Sequence, residues 1–297
     1  MTDPATNASP PEVVPQRVSV DPMLMKEVGA RLPLGRYLAE VWKYRQFIFY
    51  DARARVQSAN SEDRLGRLWT IFNPILNGLS YYLIFGILLQ TSRGIENFIG
   101  YLIIGIFTYQ LTARTVTSGS RSIARNRNMM QAFSFPRATL TIATVTREAL
   151  AFLPVLATMF FLVLVFPPVE QITWTWLFIV PIYALQTVFN LGLALVLARM
   201  VALSSDVQNM ISFLMRIWMY MSGVFYSFDR YVEHPTLVTI LEFNPLHQSM
   251  KMVRDSVLYA QVPAMESWLI LGGWAVGFLL FGTIYFWLAE ERYGRDK

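Results

Sequence analysis

Cysteine is absent from this chain. That excludes a disulfide framework, a zinc ribbon and a thiolate nucleophile. Histidine is nearly absent: only His234 and His247 occur, with twelve residues between them. That spacing is not a metal-binding pair, and both read as local caps or hydrogen-bonding residues. Charge is scarce as well, at 15% of residues, against about 25% in soluble domains. An ordinary cytosolic globular domain is therefore not expected. No G-x-x-x-x-G-K-[ST] occurs, so the chain has no P-loop to cradle nucleotide phosphates. There is no G-x-S-x-G and no pair of histidines one helical turn apart. The sequence predicts no catalytic residue, no metal site and no cofactor held by this chain.

What is present is apolar. Of 297 residues, 54% are hydrophobic and 14% aromatic, and the mean hydropathy is +0.39. That composition excludes disorder for most of the length. Residues 1–20 are polar and Pro-rich without an apolar core, unlike a signal peptide, so the N-terminus is expected in the cytoplasm. Residues 1–32 read as a mobile cytoplasmic tail with a short helix near 23–28. Residues 33–297 read as the transmembrane domain.

Six runs are long enough to cross a hydrocarbon core about 30 Å thick. They are 69–90, 98–117, 149–166, 173–198, 207–226 and 268–288. They are continuous rather than alternating, so the expected fold is an all-α integral membrane protein and not a barrel. Lys and Arg set the orientation. With the N-terminus inside, 20 of the 25 basic residues flank the cytoplasmic ends, and the outer segments hold only Arg93, Arg230, Lys251 and Arg254. The positive-inside rule then puts both termini in the cytoplasm. It also accounts for the net charge of +5 without nucleic acid, for which no separate basic module exists.

Three segments between spans carry their own pattern. Residues 34–50 are amphipathic, with Leu34, Tyr37, Leu38, Val41, Trp42 and Ile48 on one broad side. They suit a helix lying in the cytoplasmic headgroup plane, or one packed on a soluble partner. Residues 119–135 are basic, with a small apolar cluster of Met129, Met130 and Phe133, and end at Phe135-Pro136. They read as a short helix for a cytoplasmic partner, or as a solvated connector. Residues 228–267 contain two short apolar helices broken at Asn244-Pro245. They fit a re-entrant hairpin at the outer mouth, or two helices on the outer surface.

Polarity inside the spans is the most informative feature. Asn209, Ser212, Arg216 and Tyr220 fall along one line of the fifth span. Arg216 sits about 15 Å beyond Asp206, near mid-membrane. A charge there costs at least about 2.5–3.5 kcal/mol unless it faces protein or water. Trp69, Asn73, Asn77 and Ser80 form a similar stripe on the first span. Both stripes suit a polar path. The plainer alternative is glue between helices, with Arg216 paired to Glu148 or a carbonyl. Tyr220 and Trp69 are the aromatics best placed to stack on sugar rings.

Four motifs in order resemble one family. Leu65-Gly66-Arg67-Leu68-Trp69 through Asn73-Pro74 is similar to the start of the first span in type-2 ABC exporter permeases. These are the membrane subunits that export O-antigen, capsule, teichoic acid and cell-wall galactan. Asn128 to Arg137, with Phe135-Pro136-Arg137, resembles the family's cytoplasmic segment. Ser204-Ser205-Asp206 stands where the family has Arg-Asp before the fifth span. Asn244-Pro245-Leu246, followed by Arg254-Asp255, resembles its outer hairpin. The resemblance covers about residues 34–292. It departs at 56–64, which is longer than the family's usual join, and at Ser222-Gly223, where many members have Ser-Pro.

The resemblance implies a homodimer in the bacterial inner membrane, working with two copies of a separate cytoplasmic ATPase that carries ATP and Mg. It implies that the first and fifth spans line the path of a polyprenyl-pyrophosphate-linked glycan. Asn126, Met129, Met130 and Phe133 would couple to the ATPase, and Asn244, Pro245 and Arg254 would form an outer gate. Arg216, Arg64 or Arg67 would attract the pyrophosphate. Two rivals remain open at this point. One is a small-molecule or lipid exporter on the same scaffold. The other is an integral membrane glycosyltransferase, although the outer acids show no cluster by spacing. The overall likeness leans to O-antigen or galactan, and the sugar itself is not legible.

Overall fold

The structure is a computed structural model describing residues 32–58, 68–88, 95–133, 135–168, 170–228 and 234–293. The predicted helix at 23–28 and Arg64 and Arg67 lie outside these residues. The rest of the predicted tail does too, apart from Leu32. The described residues form a helical bundle. Helices α1 (Leu34–Lys43) and α2 (Arg45–Ser58) come first. Then come α3 (Trp69–Tyr81), running on as a π-helix over Tyr82–Leu88, and α4 (Phe98–Ser120). Two short helices, α5 (Ser122–Arg125) and α6 (Arg127–Ala132), precede α7 (Ala138–Val165). A 3-10 turn at Trp174–Phe178 leads into α8 (Ile179–Leu203), followed by α9 (Asp206–Met221). The chain closes with α10 (Pro235–Glu242), α11 (Pro245–Val257), α12 (Met265–Trp287) and a 3-10 turn at Glu290–Arg292.

Helix α4 is the axle of the bundle. Over residues 98–107 it is apolar on nearly every side, and Leu102, Ile103, Ile104, Phe107 and Leu111 are all buried. A helix apolar all round belongs inside a large core or a membrane. It packs on α7 and α8, and α11 and α9 also touch it. Some of its buried polar groups find partners inside the core, while Gln110 Oε1 and Thr115 Oγ1 have none among the described residues. Gln186 Nε2 donates to Thr108 O at 2.9 Å and Thr112 Oγ1 at 2.8 Å, and Thr108 and Tyr183 share a hydrogen bond at 3.1 Å. Helices α8 and α12 form the closest pair. Gly192 and Gly282 face each other there, and a Cβ on Gly192 would run into the backbone of Phe278 and Leu279. Small residues let two helix backbones approach this closely where apolar burial gives no driving force.

Among the described residues, three helices are long and apolar enough to cross a membrane: Ala138–Val165, Trp174–Leu203 and Met265–Trp287. The structure shifts several predicted boundaries. Helix α7 begins at Ala138 rather than residue 149, because Arg147 and Glu148 pair with each other at 2.6 Å and do not interrupt it. The predicted fifth span stops at Met221, and Gly223, with φ +69°, turns the chain away. Only glycine adopts that left-handed backbone without a Cβ penalty. The amphipathic run 34–50 breaks at Tyr44, and both pieces dock on their own chain. Tyr37 and Ile48 are buried, while Leu38 and Trp42 remain exposed.

Candidate functional site

The two polar stripes point outward. On α3, Pro74 and Gly78 are buried against the bundle, while Asn73 and Asn77 are exposed and Trp69 is half-buried. Ser80 Oγ turns back to Leu76 O at 2.7 Å, so its hydroxyl is satisfied locally. On α9, Ile211 and Met215 are buried with Val116 and Val201. The opposite side presents Asn209, Ser212, Arg216 and Tyr220, all exposed. Ser212 Oγ donates to Gln208 O at 3.3 Å. Helix α3 rests on α7, α9 rests on α8, and α4 touches both. Among the described residues Arg216 forms no ion pair. Glu148, one suggested partner, is taken by Arg147.

The far end of α9 is knitted to the hairpin of α10 and α11. Asn244 caps α11 by accepting from Leu246 N at 3.0 Å. The same oxygen accepts from Trp218 Nε1 at 2.9 Å, and Asn244 Nδ2 donates to Ser222 Oγ at 2.9 Å. An N-cap with proline following it is the local reason the chain starts a new helix here. Pro245 is buried. His247 Nδ1 lies 3.1 Å from Ser222 O. Arg254 is 2% exposed. Its guanidinium donates to Tyr101 O, Gly223 O and Val224 O, each at 3.2 Å, and lies 3.3 Å from the Tyr101 ring centre. Arg254 thus fastens α11 to α4 and to the end of α9. The outer-hairpin residues meet in one network, and no local motif joins them to Trp218, Ser222 or Tyr101.

At the opposite end of the bundle the short helices α5 and α6 project between α4 and α7. Asn126 Nδ2 donates to Ser122 O at 2.7 Å. Met130 is buried with Tyr37 and Leu195, Met129 is half-buried, and Phe133 is 65% exposed. Met130 therefore anchors α6, and Phe133 is the side chain it offers outward. Beside it lies a knot that sequence reasoning missed. Tyr37 Oη donates to Glu290 Oε2 at 2.9 Å, and Arg137 N donates to Glu290 Oε1 at 2.8 Å. Ala138 N donates to Tyr37 Oη at 3.2 Å. Burial pushes the Glu290 carboxyl above its ordinary range and the Tyr37 hydroxyl above its own, against the hydrogen bonds that favour the Glu290 anion. No local motif links residues so far apart in the chain.

The described residues form an all-helical, multi-pass membrane bundle with polar outward stripes. The ABC-2 type transporter family matches residues 52–258. That is more than half of the chain, and the chain belongs to this family. Members of the family are transport subunits rather than enzymes, which sets the glycosyltransferase reading aside. The family implies a separate nucleotide-binding partner. Among similar proteins is an O-antigen export system permease protein, RfbA, of Klebsiella pneumoniae. It is 26% identical over 206 residues, covering 69% of this chain and 76% of the relative. The protein of the same name from Myxococcus xanthus is 23% identical over 261 residues, covering 88% and 99%.

Proposed function

We propose that this chain is the permease subunit of an ATP-driven exporter in a bacterial inner membrane, moving a polyprenyl-pyrophosphate-linked polysaccharide of O-antigen or galactan type. It works as a homodimer with two ABC ATPase subunits. Residues 33–297 form the membrane domain, and residues 1–32 a cytoplasmic tail. Helices α3, α4, α7, α8, α9 and α12 supply six spans with both termini cytoplasmic. The relatives named for O-antigen export support the substrate class.

The observation that carries the reading is the pair of exposed polar stripes. In lipid, Arg216, which forms no ion pair among the described residues, would alone cost at least about 2.5–3.5 kcal/mol. Facing a second copy across a wet path, Asn73, Asn77, Asn209 and Ser212 hydrate a glycan as it threads. Trp69 and Tyr220 offer ring faces to its sugars. ATP binding closes the partner ATPases on α6, with Phe133 as the knob and Asn126, Met129 and Met130 as its support. That push parts α3 from α9. The hairpin around Asn244, Pro245 and Arg254 shapes the outer mouth.

The test is genetic. Cells lacking this chain should lose the surface glycan and accumulate its lipid-linked form inside, and the wild-type gene should restore export. Arg216→Ala should restore it poorly. A null strain with normal surface glycan overturns the reading. Full export by Arg216→Ala removes that residue from it.

A further inference from the structure

At the end of the bundle opposite the hairpin, a partly open polar pocket of about 90 Å³ sits between α2, α4, α5 and α7, with Arg121 and Arg125 exposed at its rim. Four arginines from three parts of the chain converge on it: Arg55, Arg121, Arg125 and Arg147. Thr117, Ser118, Ser122, Asn126 and Thr144 complete the wall, with the Ser122 hydroxyl bonded to Thr141 and the Thr144 hydroxyl to Leu140 O. Two carboxylates lie alongside, Asp51 at 2.9 Å from Arg55 and Glu148 at 2.6 Å from Arg147. Four guanidiniums against two carboxylates leave a surplus of two positive charges. Arg121 and Arg125 form no ion pair among the described residues, and Arg121 rests on the Gln208 carboxamide of α9. Gathering like charges from separate helices around one cavity costs repulsion that a bound anion would offset.

We propose that this pocket binds the phosphate anion of a membrane lipid, and that a lipid diphosphate fits it best. A diphosphate matches the surplus charge, and guanidiniums grip phosphate oxygens in two-pronged fashion. The pocket lies at the cytoplasmic ends of α4 and α9 as oriented above, at headgroup depth. It adjoins the foot of the α9 stripe through Gln208. The inference rests on the export reading for its biological ligand, but the pocket and its charge do not. Arg64 and Arg67 are not needed for it.

The test uses the full-length chain in phosphatidylcholine nanodiscs, titrated with farnesyl diphosphate and read by native mass spectrometry. The wild type should bind the diphosphate, and inorganic pyrophosphate should compete. Farnesol should not bind. Arg121→Gln and Arg125→Gln should each weaken binding about tenfold, the usual worth of a charge-assisted contact. Arg53→Gln, on the exposed side of α2, should bind like the wild type. Phosphatidylglycerol that displaces the diphosphate with equal strength upholds the phosphate site and assigns it to bulk lipid. Unchanged binding in both arginine variants overturns the proposal. So does intact diphosphate binding in variants that no longer assemble with the ATPase, which makes the pocket a protein contact. No glycan or ATP is present, so failure here leaves the export reading standing.

Discussion

Replacing Arg254 with methionine isolates the clamp that holds the hairpin. The side chain keeps its apolar length but loses every donor. Gly223 O keeps at most a share of the Tyr101 hydroxyl, which also donates to Tyr226 O at 3.0 Å, and Val224 O is left with no donor among the described residues. An orphaned buried acceptor costs about 1–3 kcal/mol, and the lost contact with the Tyr101 ring, dry as it is, adds about 2 kcal/mol. Removing a buried cation gives part of this back. The net expectation is a loss of about 2–4 kcal/mol, which in a chain of this size lowers the unfolding midpoint by roughly 5–10 °C. Tryptophan fluorescence during thermal denaturation in detergent reads it, with Trp218 near the network as an internal reporter. Arg254→Lys should recover little, since one ammonium cannot reach carbonyls on two elements. A midpoint unchanged or raised in Arg254→Met would refute the clamp and show that burying the charge costs more than its contacts return.

Other predictions follow from the same packing. Gly192→Ala should destabilise by about 1–3 kcal/mol through overpacking at α12. Gly277→Ala, with open space beside it, should be neutral or stabilise by up to about 1 kcal/mol through helix propensity, and paired melting curves separate the two. Met130→Ala should cost about 2–5 kcal/mol of stability. Phe133→Ala should leave the melting curve in place and weaken co-purification with the ATPase. Burial of the Glu290 charge outweighs the hydrogen bonds from Tyr37 and Arg137 that favour its anion, so this carboxyl contributes most to the folded state when it is protonated. Its stabilisation is complete below the ordinary carboxylate value of 4.5 and is lost as pH rises through the higher folded value. Glu290→Gln should flatten that part of the pH–stability profile, and an unchanged slope would contradict the assignment.

Much of this was legible in the chain because local chemistry wrote it. Asn244-Pro245 marks a cap and a first helical turn, and the hairpin breaks there. The polar spacing on α9 places Asn209, Ser212, Arg216 and Tyr220 on one face whatever surrounds the helix, and the structure leaves that face open. Other features depend on partners the sequence does not name. Helix α7 runs through Arg147 and Glu148 because each satisfies the other, which a charge count reads as the edge of a span. Arg254 looks like an outer-segment charge until Tyr101 and the Gly223 turn close over it. Tyr37 and Glu290 sit near opposite ends of the chain, and only the fold brings them together.

In the proposed exporter α3 and α9 face a wet path, and the absence of native cysteine makes that path directly measurable. Single cysteines at Asn77, Ser212 and Arg216, and at the exposed apolar positions Val180 and Leu269, can be probed with a small hydrophilic thiol reagent. The complex with the ATPase should be labelled during ATP turnover. Labelling should be fast on the two stripes and slow at Val180 and Leu269. Equal protection of all five positions would contradict the wet path.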